Sequence, residues 1–292
     1  MEKRKGNHPP GDMAGYEILE ELGSGVTARV YRVQEKGTGR VCALKYSDDA
    51  ERLKAEAVLL RGLSHPCFPR WMGDGVLSEG AYLVMEYIPG MTLGRLMDKY
   101  PAGMPERAAA GIAREVAMGL ACLHGSRPMY VYRDIKADNV MITPQGRARL
   151  VDLGAVCAAG AQGKVRAGTY GYSAPEQFWN GADISPACDV YGVGKLLAYM
   201  LTGQDPCKPP YDTENYCCRH SGIGRRMQRL LEHCLYTDPQ LRYPDASFLV
   251  SELSDPGTEK RGLRDMFRKF TGNKCRYRYI KCIWRSEYER IF

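Results

Sequence analysis

A two-lobed α+β fold, with a small antiparallel sheet ahead of a larger helical body, is what this sequence predicts. From Tyr16 to Tyr87 the apolar residues alternate in short runs parted by glycine-bearing turns, the period of half-buried strands. From Pro105 to Leu253 they recur at helical spacing in longer runs. A strand-rich segment before a helix-rich one implies two packed bodies with a cleft between them, joined by a hinge at Glu86 to Pro89.

The elements follow in order. Strands are predicted over YEILEELG (16–23), ARVYRVQ (28–34) and VCALKYS (41–47), the last two parted by the Gly37-Thr38-Gly39 turn. The spacing turns helical in AERLKAEAVLLRGL (50–63), then strand-like again in PRWMGDGVLS (69–78) and AYLVMEY (81–87). Helices are predicted over 105–125, 190–203, 223–235 and 245–253. Residues 1–15, with Pro9, Pro10 and Gly11 and few apolar side chains, read as a flexible arm. The body divides into an N-lobe at 16–87 and a C-lobe at 88–254, followed by a basic extension at 255–292.

Bulk properties bound the class. With 292 residues, 44% hydrophobic and 26% charged, the chain has the make-up of a globular protein with room for two lobes. No run reaches the ~18 apolar residues of a membrane span, and the N-terminus lacks a signal peptide's apolar stretch, so a cytoplasmic location is expected. Eleven cysteines, an odd number with no CxxC pair, fit reduced thiols better than zinc or disulfides. The net charge is +7, and residues 256–292 hold eleven Lys or Arg against four Asp or Glu, so the body before them is neutral.

The chemistry is concentrated in YVYRDIKADNVMITPQGRARLVDLG, residues 130–154. Asp134, Lys136 and Asn139 share one loop, and Asp152 follows beside Gly154. A carboxylate to orient a hydroxyl, a cation for a moving phosphoryl group and oxygen ligands for magnesium are the parts that phosphoryl transfer needs. One Asp in a loop is ordinarily a turn cap; four polar residues at this spacing are not. Upstream, LGSGVTARV (22–30) has glycines at 23 and 25, where a Cβ would block close approach of backbone amides to phosphates. Alone, that pair would be only a turn; twenty residues ahead of the VCALK strand it carries more weight.

With these motifs, the chain from about Tyr16 to Leu253 resembles the eukaryotic-type (Hanks-type) serine/threonine protein kinase family. VCALK stands where the family has VAIK, Tyr132-Arg133-Asp134 where it has HRD, Asp152-Leu153-Gly154 where it has DFG, and Ala174-Pro175-Glu176 where it has APE. Asp189 in CDVYGVG and Arg242 in DPQLRYP match two buried polar positions of the larger lobe. YRD, DLG and the compact loops are similar to bacterial members. Three departures stand out: Ala28 replaces the third glycine, Tyr132 the usual His and Leu153 the usual Phe. Each replaces a turn or packing residue, not one that touches nucleotide or metal.

The resemblance implies ATP and Mg²⁺ as cofactors and proteins as substrates, with γ-phosphoryl transfer to Ser or Thr hydroxyls. It implies Asp134 as catalytic base and Lys136 as the cation on the transferred group, with Asn139 and Asp152 holding Mg²⁺. The nucleotide would lie under the loop of Leu22, Gly23, Ser24, Gly25, Val26, Thr27, Ala28, Arg29 and Val30. Val30 and Ala43 would cover the adenine, Met141 would lie beneath it, and Glu86 and Ile88 would line it from the hinge. Lys45 would contact phosphates while paired with Glu56, Glu51 being the weaker candidate. The eleven-residue Lys45–Glu56 interval is short for the family, so the loop before that helix must be nearly absent.

Between Ala155 and Gly168 there is no Ser, Thr or Tyr, so Arg133, which in the family often docks a loop phosphate, finds no acceptor there. Thr169 is expected to hydrogen-bond near Asp134 and Lys136. Two other classes stay open: a pseudokinase scaffold that binds nucleotide without turnover, and a phosphotransferase for small-molecule hydroxyls. For the tail, a packed appendage with a solvated basic face stands beside contact with an anionic membrane or acidic partner; nucleic acid, through interleaved Arg and Tyr, is the weakest option.

Overall fold

The protein is described here from a computed structural model covering residues 15–25, 28–160, 167–179, 181, 183–209 and 222–254. The expectations for the N-terminal arm before Gly15, for Val26 and Thr27, and for the basic extension from 255 fall outside the described residues.

Five antiparallel strands form the sheet: β1 (Tyr16–Ser24), β2 (Arg29–Glu35), β3 (Val41–Ser47), β4 (Trp71–Leu77) and β5 (Gly80–Glu86), in the order β1-β2-β3-β5-β4. Strand alternation sends successive β3 side chains to opposite faces. Cys42, Leu44 and Tyr46 join Tyr31, Val33 and Val84 in a small outer cluster, while Ala43 enters the main core with Leu83 and Met85. Lys45 shares the inner face with Ala43, and the register aligns Gly23, Val30, Lys45 and Leu83 across four strands. That inner face is the roof of the cleft.

Helix α1 (Ala50–Gly62) starts directly after β3, with only Asp48 and Asp49 between, as the short interval requires. The Asp49 side chain accepts from the Arg52 N–H at 3.1 Å, satisfying one of the open donors of the first turn. Leu53, Glu56, Ala57 and Leu60 form its buried stripe at i, i+3, i+4 and i+7. Glu56 is therefore carried into the interior by its apolar neighbours.

The helical half contains α2 (Leu93–Met97), α3 (Glu106–His124), α4 (Ala187–Thr202), α5 (Arg225–Leu235) and α6 (Ala246–Glu252). Helix α4 is buried along its whole length, packing on α3, α5 and α6. Its all-round apolar character is that of a central helix. Alanines 108, 109, 113 and 117 of α3 keep its core face flat enough for close packing.

Short elements absent from the sequence reading complete the body. Strands β6 (Met91–Thr92), β8 (Val140–Ile142) and β9 (Ala148–Leu150) form one small sheet, and β7 (Tyr130–Val131) pairs with β10 (Cys157–Ala158). Two or three residues are too few to display a period of two, and α2 is a single turn or so. These short strands nevertheless frame the functional loops. Gly90, at the hinge, has φ +147°, and a Cβ there would lie 2.2 Å from the Ile142 carbonyl oxygen. Only glycine allows the hinge to run this close to β8.

The seven described cysteines are all free thiols, and no helix among the described residues is long and apolar enough to cross a membrane. Burial pushes the Cys67 thiol up to about 12.

Candidate active site

The two halves meet at Lys45. Its ammonium lies 2.9 and 2.7 Å from the two Glu56 carboxylate oxygens and 2.7 Å from Asp152 Oδ1. Burial alone would lower the Lys45 pKa, but Glu56 and then Asp152 outweigh it and hold the group above its ordinary value, fully charged. For Asp152, burial would raise the pKa, but Lys45 pulls the carboxyl below the usual range. Glu51, the weaker candidate for the pairing, is exposed and pairs with Lys54 instead.

Asp134 is engaged at both oxygens. Thr169 donates its hydroxyl to Oδ1 at 2.7 Å, while Asn139 Nδ2 and the Lys136 ammonium each lie 3.0 Å from Oδ2. Lys136 also donates to Thr169 Oγ1 at 3.1 Å. Asn139 Nδ2 bonds the Asp134 carbonyl as well, at 2.9 Å, which orients its amide. With the nitrogen so placed, Asn139 Oδ1 accepts no hydrogen bond among the described residues, and neither does Asp152 Oδ2.

The loops are held in unusual backbone conformations. Arg133 and Asp152 are the described non-glycine residues with positive φ, at +68° and +65°. Such geometry costs on the order of 1–3 kcal/mol and persists only where the surroundings enforce it. Here Asp189, 1% exposed, accepts the N–H groups of Tyr132 and Arg133, both at 2.7 Å. His124 Nδ1 accepts from the Ala246 N–H at 3.1 Å, which assigns the Nε2 proton to the 2.9 Å contact with Asp189. The hydroxyl of fully buried Tyr132 donates to the Val151 carbonyl, beside Asp152. Tyr132 thus ties one functional loop to the other, and Leu153, 3% exposed, packs in the same core as Leu60.

The remaining expected residues line the same cleft or its rim. Val30 and Ala43 are on the inner face of the sheet, and Met141 sits on β8 between Thr92 and Arg149. Leu22, Gly23 and Ser24 end β1, Gly25 donates its N–H to the Ala28 carbonyl at 2.8 Å, and Arg29 begins β2. Ile88 is buried in the hinge. The Glu86 carboxylate, however, is held by Arg149 at 2.9 Å and by the Arg70 N–H at 3.2 Å. Burial would raise its pKa, but these donors hold it below the usual carboxylate range. Its side chain is committed to the hinge.

Sequence reasoning passed over several bracing residues. Buried Gln177 donates to the carbonyls of Arg133 (2.8 Å) and Ala167 (2.9 Å), joining loop and segment. Arg149 donates to the Phe68 carbonyl at 2.8 Å besides Glu86. Gln177 abuts the APE motif, which was the one available signal; Arg149 and His124 carried none. The Glu176–Arg242 pair is bidentate, at 2.6 and 2.9 Å, and nearly closed to solvent.

Compared with known proteins, residues 16–253 match the family described as the protein kinase domain. Serine/threonine-protein kinase PknD of Mycobacterium tuberculosis (strain CDC 1551 / Oshkosh) is 32% identical over 212 residues, covering 68% of this chain and 31% of that protein. PknL of the same strain is 34% identical over 204 residues, covering 65% and 50%. Pkn2 of Myxococcus xanthus is 32% identical over 227 residues, covering 72% and 27%. This chain thus spans half or less of the length of these relatives. From the match across 16–253, the chain belongs to the eukaryotic-type protein kinase family.

Proposed function

We propose that this protein is an ATP-dependent protein kinase that transfers the γ-phosphoryl group to Ser or Thr hydroxyls of proteins. The contact that carries the reading is Lys45 to Asp152, 2.7 Å across the cleft, with Glu56 behind it. It joins a buried cation from the sheet to a carboxylate from the helical half, where a triphosphate with its metal would require both.

The donor set suits Mg²⁺. Among the described residues no group of three or more His, Cys, Asp or Glu could hold a metal by itself. Two oxygens, Asn139 Oδ1 and Asp152 Oδ2, instead accept no hydrogen bond among the described residues. Mg²⁺ commonly takes one or two protein oxygens and completes its shell with phosphate and water. When bound, the Mg²⁺ nucleotide supplies the activated phosphoryl group. Asn139 and Asp152 would hold the ion, and Lys45 would neutralise phosphate charge. Asp134 would orient the acceptor hydroxyl and take its proton as the new oxygen–phosphorus bond forms and the bond from the γ-phosphorus to the bridging oxygen breaks, ADP leaving with that electron pair, with Lys136 beside the transferred group. Thr169, bonded to both, would fix their spacing.

The intact set of Lys45, Asp134, Asn139 and Asp152 favours turnover over a scaffold role. The buried Glu176–Arg242 brace beneath the Ala174-Pro175-Glu176 segment supports a protein acceptor over a small molecule. Purified protein incubated with γ-labelled ATP, Mg²⁺ and Ser-, Thr- and Tyr-containing peptides tests the proposal. Acid-stable label on Ser or Thr, lost in Asp134→Asn, is expected. Bound nucleotide with no transfer would instead establish a scaffold.

A further inference from the structure

Three consecutive main-chain groups after Asp152 are gripped by side chains. The Leu153 N–H donates to Glu56 Oε1 at 3.2 Å. Arg52, one turn before Glu56 on the same helix, donates Nε to the Gly154 carbonyl at 3.1 Å. Arg133 donates Nε to the Ala155 carbonyl at 2.6 Å. Beyond them the chain is tied again, by Ala159 N–H to the Met129 carbonyl at 2.8 Å and by β10 pairing with β7. A guanidinium paired with a carbonyl is a charge-assisted hydrogen bond, stronger than a neutral one.

Arg133 would be the natural dock for a loop phosphate, yet residues 155–168 contain no hydroxyl to carry one. Its Nε instead bonds the backbone at the start of the same segment. Arg52 does the same from α1 one residue earlier, and Asp152, two residues before the first of these carbonyls, sits at φ +65°, a conformation that needs enforcement. We propose that Arg52 is a positioning residue for phosphoryl transfer. With Arg133 it clamps the carbonyls of Gly154 and Ala155, fixing Asp152 in its metal-holding pose without a loop phosphate. The inference rests on the kinase reading for what Asp152 holds, but not for the clamp itself.

The test uses nucleotide binding. Wild type, Arg52→Ala, Arg52→Lys and Lys54→Ala, all dephosphorylated, are titrated calorimetrically with a non-hydrolysable ATP analogue, with Mg²⁺ and again in chelator. Lys54 is exposed on the same helix and pairs with Glu51 alone among the described residues, so it controls for general changes in α1. The expected result is about five-fold weaker binding of the Mg²⁺ nucleotide to Arg52→Ala, about 1 kcal/mol where 1.4 kcal/mol is tenfold. Binding without metal should be unchanged, Arg52→Lys should recover part of the loss, and Lys54→Ala should match wild type. A role confined to stability would move both titrations or neither. Equal Mg²⁺-dependent binding by wild type and Arg52→Ala, or an equal loss with and without metal, would overturn the proposal. Should the expected loss appear in a protein that transfers no phosphoryl group, the kinase reading fails and the clamp stands.

Discussion

Asp134 has little freedom: one oxygen is bonded by Thr169, the other by Asn139 and Lys136. Removing the Thr169 hydroxyl leaves Oδ1 without that donor and takes away one of the two acceptors of Lys136, leaving only the Asp134 Oδ2 contact to set their spacing. Thr169→Ala is expected to lower kcat/KM for peptide about tenfold, the value of one charge-assisted hydrogen bond. Thr169→Ser should restore it, and Tyr170→Phe, altering an exposed side chain, should have little effect. An active Thr169→Ala beside an inactive Tyr170→Phe would reverse the assignment. The Glu176–Arg242 pair allows a sharper stability test, because the Arg242 side chain has 0% exposure. Glu176→Ala strands that charge and should cost about 3–5 kcal/mol in urea unfolding; a loss below 1 kcal/mol would show that the carbonyls of Ala187, Tyr236 and Thr237 suffice. Thiols provide a milder probe. Burial keeps Cys67 protonated up to about 12, so at pH 8 alkylation followed by peptide mapping should mark exposed Cys207 and leave Cys67 unmodified until the protein unfolds. Labelling of Cys67 in the folded protein would contradict its burial.

Among the elements, α1 does the most with the least sequence. Its buried stripe places Glu56 under Lys45, and its first turn places Arg52 over Gly154. Losing the Asp49 cap should loosen that first turn: Asp49→Ala is expected to cost about 1 kcal/mol by thermal unfolding. A change within experimental error would mean that packing alone sets the start of the helix. The helix was legible from its hydrophobic spacing, and its pairing from the resemblance of AEAVLLRGLSHP (55–66) to the register of the family's helix, despite the short eleven-residue interval after Lys45. Arg52 was not, since an exposed arginine in a first turn looks like any solvated charge, and its partner lies 102 residues away. The short strands β6 to β10 were missed for a related reason. Two or three residues carry no pattern of their own, and apart from the β8–β9 hairpin their pairing depends on partners distant in sequence.

Across the whole molecule, the architecture follows from a change of period, mostly alternation up to the hinge, interrupted by the helical run of α1, and mostly helical spacing beyond it, and both halves contribute to one core. The positions of Lys45, Asp134, Asn139 and Asp152 could be named from motif spacing because each motif is local. How they are held was legible only in part: the resemblance marked Asp189 as a buried polar position and Thr169 as a partner near Asp134, while His124, Gln177 and Arg52 come from elsewhere in the fold without a motif of their own. The Glu86 carboxylate makes the same point: the sequence marks it as a hinge residue, while only the fold commits it to Arg149. The central claim is that one Mg²⁺ triphosphate is gathered between Lys45 of the sheet and Asn139 and Asp152 of the helical half. A crystal structure with Mg²⁺ and a non-hydrolysable ATP analogue tests it most directly. The expected map has the metal on Asn139 Oδ1 and Asp152 Oδ2 with the Lys45 ammonium on phosphate oxygens; a nucleotide bound elsewhere, or a metal held by neither residue, would contradict it.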